Sequence, residues 1–209
     1  MPPTTKGRRT EAAFLDAARR TFAEKGYLNT KIADIAEAAG RSTASFYTYY
    51  DNKEQLLEAL LEQFSTGVVE DALRAKHIDP EAGVRAAVSA YWTHYREYLP
   101  EIIGLFQMSM LDETFRKRWR EKRASGIEQI LSGLEGADRA GHRVDLPLPL
   151  LASALVSTLE ASCWMWLTAD GDIGVDQPDD EAAIDVLTAI WFRTVYGRGP
   201  QAGHPRTAE

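Results

Sequence analysis

Apolar residues recur at three- and four-residue intervals along most of the chain and alternate for no more than a few positions, so the pattern predicts helices and no sheet. Phe14, Ala18 and Phe22 form the stripe of a first helix over residues 10–25, closed by Gly26. Ile32, Ile35, Ala36 and Ala39 repeat with the period of a second helix, which Thr30 is placed to cap and Gly40 to end in a left-handed turn. Ser42 is placed to cap a third, short helix. Phe46 and Tyr50 share one of its faces, which leaves Thr43, Ser45, Thr48 and Tyr49 pointing elsewhere. One face packs and the other is open to a partner.

Asn52 is placed to cap a fourth helix over 53–76, with Leu56, Leu57, Leu60, Leu61, Phe64 and Val68 as its stripe. Val84, Val88, Tyr91, Trp92, Tyr95 and Leu99 mark a fifth over 80–99, which Pro100 is expected to end. A shorter sixth carries Ile102, Ile103, Phe106 and Met110. The seventh, over 112–134, carries Phe115, Trp119, Ile127, Ile130 and Leu131. Residues 146–167 are the most apolar stretch, and a last helix over 180–196 presents Ile184, Leu187, Ile190, Trp191 and Val195. The expected architecture is all-α with about nine helices. It has four parts: a flexible basic arm over 1–9, a three-helix helix-turn-helix unit over 10–52, a larger helical domain for ligand and dimerisation over 53–197, and a disordered tail over 198–209.

A helix, a tight Gly turn and a second short helix make the corner whose second helix can enter the major groove of DNA, about 12 Å wide. Ser and Thr hydrogen-bond base edges or phosphates, Ala44 allows close approach, and Tyr47 and Tyr49 reach the backbone with a phenol. Taken alone, the corner also reads as an ordinary helical turn. A wider set of residues adds to it: Phe14-Leu15, Ala18, Phe22, Gly26-Tyr27, Thr30, Ile35-Ala36, Ala39-Gly40, Ser42, Phe46-Tyr47, Tyr50, Lys53-Glu54 and Leu56-Leu57. On these, the stretch over about residues 10–60 resembles the TetR family of transcriptional regulators. Arg41 stands where members commonly carry Val, and Tyr50 where Phe is commoner; contact between Arg41 and a phosphate is left open.

The resemblance implies a homodimeric repressor that reads double-stranded operator DNA and answers to a small molecule. Its DNA-contacting residues would be Thr30, Arg41, Ser42, Thr43, Ala44, Ser45, Tyr47, Thr48, Tyr49 and Lys53, with Lys53 on the DNA backbone. Lys53 also stands out by itself, because a cation in the first turn of a helix opposes the helix dipole and a nearby phosphate would explain it.

Charge first argues against such a partner, because the net charge is −7. Its distribution changes the picture: residues up to 55 hold nine Lys or Arg against seven Asp or Glu, and the remainder fifteen against twenty-four. Lys6, Arg8 and Arg9 form a basic arm before the first helix. Such an arm is either a solvated tail or lies in the adjacent minor groove, where the negative potential favours Arg. Among Arg116, Lys117, Arg118, Arg120, Lys122 and Arg123, the reading is a solvated face or the capture of an anionic effector.

The single cysteine, Cys163, excludes an intrachain disulfide and a Cys-cluster zinc site, and no metal or other cofactor is expected. A reducing, cytoplasmic setting fits, as does a first stretch without the apolar core of a secretory signal. Residues 146–167 are long enough to cross a membrane, but Glu160 at the interior would cost about 2.5–3.5 kcal/mol. Burial against protein explains the segment better, and Ser153, Ser157 and Ala161 would let another helix approach closely. With Leu187 and Ile190 they form the expected dimer interface, a four-helix bundle.

Four tryptophans, Trp92, Trp119, Trp164 and Trp191, fall on apolar faces of different carboxy-terminal helices, either as core or as the walls of a cavity for an apolar or aromatic effector. The run IDVLTAIWFRTVYG resembles the end of the ethionamide-resistance-repressor subgroup. That likeness implies a pocket lined by Tyr91, Tyr95, Trp119, Val156, Leu159, Glu160, Trp164 and Trp191, with Trp92, Phe106 and Gly126 completing the expected wall. An enzyme is the rival class. The four histidines are scattered, no HExxH, phosphate-cradling Gly loop or Gly-x-Ser-x-Gly elbow is present, and His94 with Glu97 or Glu160 is the one acid-base pairing on offer. A regulator governed by a protein partner is the further alternative.

Overall fold

The computed structural model describes residues 5–74, 79–142, 144–168 and 171–197. Among these residues there are nine helices and no strand: α1 (Thr5–Lys25), α2 (Ile32–Ala38), α3 (Thr43–Phe46), α4 (Lys53–Arg74), α5 (Pro80–Glu97), α6 (Leu99–Leu111), α7 (Glu113–Arg139), α8 (Leu148–Thr168) and α9 (Asp180–Tyr196). The tail expected over 198–209 lies outside the described residues.

Several boundaries differ from the sequence expectation for physical reasons. The arm over 1–9 is helical from Thr5 onward, since no proline interrupts the approach to Thr10, whose hydroxyl donates to the Lys6 carbonyl at 3.1 Å. Pro100 does not end α5 but sits in the first turn of α6, where its missing N–H is no loss. α7 continues through Gly133 and Gly136 to Arg139, because Leu134 and Ala137 in its last turns are buried in a core. It closes at Gly141, φ +95°, with the His142 N–H donating to the Ala137 carbonyl at 3.1 Å.

The chain forms two compact units, and neither is one continuous stretch. Met1–Gly67 and His94–Trp119 make the first, and Val68–Thr93 and Arg120–Glu209 the second. The linear boundary expected at residue 53 is therefore displaced, because the α5–α6 corner packs with the amino-terminal helices.

In the first unit Phe14 and Phe46 are fully buried and meet edge-on at 5.5 Å, with Tyr50 5.6 Å from Phe46. Such pairs add about 0.5–1.5 kcal/mol each beyond the area they bury, and here they brace α1 against α3. α6 reaches the α1–α2 turn through Gly104, where an added Cβ would lie 2.6 Å from the Cβ of Tyr27. Arg19 ties α1 to the same corner: its Nη2 donates to the Glu97 carbonyl and to Glu97 Oε1, both at 3.0 Å, and its guanidinium lies 4.4 Å over the Tyr98 ring.

The second unit is built on Leu134, Ala137, Leu151, Ala152, Leu155 and Val195, with Ile127, Ile130, Leu131 and Trp191 packed against them. The Trp92 indole N–H donates to the Asp180 carboxylate at 2.9 Å, and its ring lies 6.2 Å from Trp166. α8 is long and apolar enough to cross a membrane, yet 33% of its most apolar window is buried within the protein. The expectation of burial on both sides is thus met by this chain on one side.

Candidate nucleic-acid interface

Local chemistry sets the corner. Gly40 takes φ +63°, and the Arg41 N–H reaches back to the Ala36 carbonyl at 2.9 Å, which closes α2 with a left-handed cap. The Ser42 hydroxyl accepts from the Ser45 N–H at 3.1 Å and starts α3. Phe46 and Tyr50 turn inward, and burial pushes the Tyr50 phenol up to about 12. Ser42, Thr43, Ala44, Tyr47 and Thr48 are exposed, and Ser45 and Tyr49 half-buried. The hydroxyl face expected from the spacing is therefore presented outward.

Beside it lies a groove of about 520 Å³ lined by Lys6, Gly7, Arg9, Thr10, Arg41, Ser45 and Tyr49. Lys6 and Arg9 are three residues apart and share one face of α1, whereas Arg8, turned by about 200° from Lys6, is not among the lining residues. Among the described residues Lys6, Arg9 and Arg41 form no ion pair, and Arg41 Nη1 donates to the neighbouring Gly40 carbonyl at 3.1 Å. A concave surface with three uncompensated cations focuses a positive potential. Gly7 and Thr10 escaped the sequence reading. Their signal was the helical interval separating 6, 9 and 10, hidden by treating the segment as an arm.

Two expected contacts are placed otherwise. Thr30 is 2% exposed, and its hydroxyl donates to the Gly26 carbonyl at 2.8 Å, so it neither caps α2 nor faces outward. The cap is one residue later: the Lys31 N–H donates at 2.8 Å to Asp34, which also accepts from Lys25 Nζ at 2.9 Å. Lys53 opens α4 as expected, with Asn52 accepting from the Gln55 N–H at 2.8 Å, but its ammonium is held by protein carbonyls.

Residues 14–60 match the family described as bacterial regulatory proteins, tetR family. The chain is 28% identical over 150 residues to the HTH-type transcriptional repressor AcnR of Corynebacterium diphtheriae, across 70% of this chain and 75% of AcnR. It is 24% identical over 210 residues to the HTH-type transcriptional regulator EthR of Mycolicibacterium smegmatis, across 94% of each. The chain is a TetR-family transcriptional regulator. The crystal structure of PfmR from Thermus thermophilus shares its fold, with a TM-score of 0.67 and 24% identity over 87% of this chain and 96% of that one. Family and relatives are regulators, which removes the enzyme alternative.

In this TetR-family regulator the residues expected to line a pocket divide between the units. Tyr95, Phe106 and Trp119 belong to the first, where the Phe106 and Trp119 rings lie 5.6 Å apart. Tyr91, Trp92, Gly126, Val156, Leu159, Glu160, Trp164 and Trp191 belong to the second. Of these, Trp92 is buried with its N–H on Asp180, and Trp191 packs on the core cluster, so both rings serve packing. The basic run does not act as one face either. Arg118 pairs with Glu58, Arg116 Nε donates to the Ser109 carbonyl at 3.2 Å, and Arg123 pairs with Glu160 and donates to the Ser157 hydroxyl at 2.6 Å.

Of the expected dimer residues, Ser157, Ala161 and Ile190 are exposed, Ser153 is half-buried and Leu187 is buried. Leu187 is the correction: it faces its own unit, and Val186 beside it faces out. The exposed stripes run through Leu150, Ala154, Ser157 and Ala161 on α8 and through Ala182, Val186 and Ile190 on α9. Both follow helical spacing.

Proposed function

We propose that this regulator represses transcription as a homodimer on a near-palindromic operator and is released by a small, largely apolar effector. The observation that carries the reading is the outward hydroxyl face of α3 beside a groove whose cations, Lys6, Arg9 and Arg41, form no ion pair among the described residues. Phosphates supply their counter-charges, and Thr43, Ala44 and Thr48 read base edges. A reading helix this short gains specificity by pairing two half-sites about one helical turn apart. Repression is supported by the name of the AcnR relative.

The second copy is supported by the exposed apolar stripes of α8 and α9. Neither stripe carries a charged residue, and a four-helix interface would cover them. The effector reading is supported within the second unit by half-buried Tyr91 and Trp164 and by Gly126, where an added Cβ would meet nothing within 4 Å. The effector releases the operator only by preferring the state with displaced reading heads, and a tenfold loss of affinity requires about 1.4 kcal/mol of coupling.

Selection of bound duplexes from a random pool tests the DNA reading: a symmetric motif is expected, and an enriched pool without one would refute it. A thermal-shift screen of apolar compounds follows. A compound that saturates the protein must weaken operator binding by the factor by which operator weakens its own binding, and unchanged operator affinity would refute the effector reading.

A further inference from the structure

The family likeness implies a place for Lys53 on the DNA backbone, but the protein itself also engages its ammonium. A cation in the first turn of α4 opposes the helix dipole, and a DNA phosphate offers one remedy. The protein supplies another. Nζ donates to the Tyr27 carbonyl at 2.7 Å and to the Thr30 carbonyl at 2.8 Å, and it stands 4.2 Å from the centroid of the Tyr27 ring. An ammonium has three donors, so two are committed to these carbonyls and its charge is further met by the ring. Lys53 is accordingly half-buried, and loss of water holds its pKa below the usual lysine range.

Both carbonyls belong to the turn between α1 and α2. That turn cannot recede from the ammonium. Tyr27 is 2% exposed, meets the Phe22 ring at 5.2 Å, and has its Cβ backed by Gly104 of α6. Thr30 is anchored by its own hydroxyl to Gly26. The tie therefore joins the first residue of α4 to the start of α2, and α2 leads through Gly40 directly into α3.

We propose that Lys53 is a positioning residue: its ammonium sets the angle at which α2 and α3 are presented to DNA, a role its two carbonyl bonds carry whether or not the third donor meets a phosphate. This rests on α3 being the reading element. A phosphate ligand and a positioning cation respond differently to substitution. Loss of the first lowers the salt dependence of binding to every sequence, whereas loss of the second lowers discrimination between sequences.

The test compares the full chain with Lys53→Met, which keeps the apolar stem, on the selected operator and on an unrelated duplex, over a salt series well below the melting temperature of both proteins. The expected result is a fall of about tenfold or more in the ratio of operator to unrelated affinity. A slope reduced by about 0.9 with the ratio retained makes Lys53 a phosphate ligand alone and overturns the proposal. A lowered melting temperature with ratio and slope both retained makes it a stability residue and overturns it equally.

Gly104→Ala carries the same test should Lys53→Met fail to fold, because it presses on Tyr27 without removing a charge. It is expected to lower the ratio, and where both variants fold, the double variant should lose less than the product of the two single losses. An unaltered ratio in Gly104→Ala, or strict additivity in the pair, counts against the proposal. A wild-type chain that prefers no duplex would instead remove the reading of α3, and this proposal with it.

Discussion

The two units present opposite kinds of unfinished surface. In the first, Phe14, Phe22, Phe46 and Tyr50 of the reading head are covered, and among the described residues Lys6, Arg9 and Arg41 have no counter-charge around one groove. In the second, Arg85 pairs with Asp185 and Arg123 with Glu160, while Leu146, Leu150, Val186 and Ile190 remain exposed. Uncompensated charge draws a polyanion, and uncovered apolar area draws another apolar surface. Each unit thus lacks what a different partner supplies: a phosphate backbone for one, a second copy of the chain for the other.

The largest effect is expected where that contrast is removed in the second unit. Leu150→Glu with Ala154→Glu puts charge on an exposed apolar stripe, so the fold should survive while sedimentation shows monomers. Operator affinity should fall by about 10²–10⁴ as the two heads lose their linkage. An unchanged dimer would place the interface elsewhere. In the first unit Phe46→Ala should destabilise the reading head by about 3–5 kcal/mol, measurable by denaturant unfolding, and abolish operator binding while leaving the dimer intact. Dissociation of that variant would break the separation of roles.

Smaller effects sharpen the comparison. Arg9→Ala and Arg41→Ala should each reduce the log-log salt slope by about 0.9 with sequence preference kept, and Arg85→Ala, whose charge is already paired, should leave the slope alone. Equal slopes for all three would deny the groove its role.

The smallest concerns Glu101, whose carboxyl is fully buried, with Arg19 Nε at 3.8 Å and Glu97 and Tyr98 nearby. Burial raises its pKa from 4.5 to about 7, offset in part by Arg19. The folded state then binds more protons than the unfolded one between those values, so the stabilising contribution is present below about pH 4.5 and lost as pH rises through 7. Glu101→Gln should flatten this dependence and raise the melting temperature by a few degrees near pH 8, about what 1 kcal/mol is worth in a domain of this size. A wild-type melting temperature indifferent to pH over that window would contradict it.

What the sequence by itself determined are features whose causes lie within one or two helical turns. Gly40 could only be a left-handed cap, Ser42 was one bond from starting α3, and the spacing of Phe46 and Tyr50 assigned the inner face. The outward hydroxyls followed from the same period. Tertiary structure decided everything that depended on a partner distant along the chain. Lys53 looked like a surface group because nothing near it in sequence shows that the Tyr27 and Thr30 carbonyls reach α4. Trp92 offered itself equally as core or cavity wall until Asp180 took its N–H, and the run over 116–123 read as one basic face until Glu58 and Glu160 divided it. Leu187 and Val186 are neighbours on one helix, and only the packing of α9 in its unit decided which of them is buried. Periodicity locates a face, but a polar group's role is set by whichever donor or acceptor the fold brings within about 3 Å, and that choice is made between residues tens of positions apart.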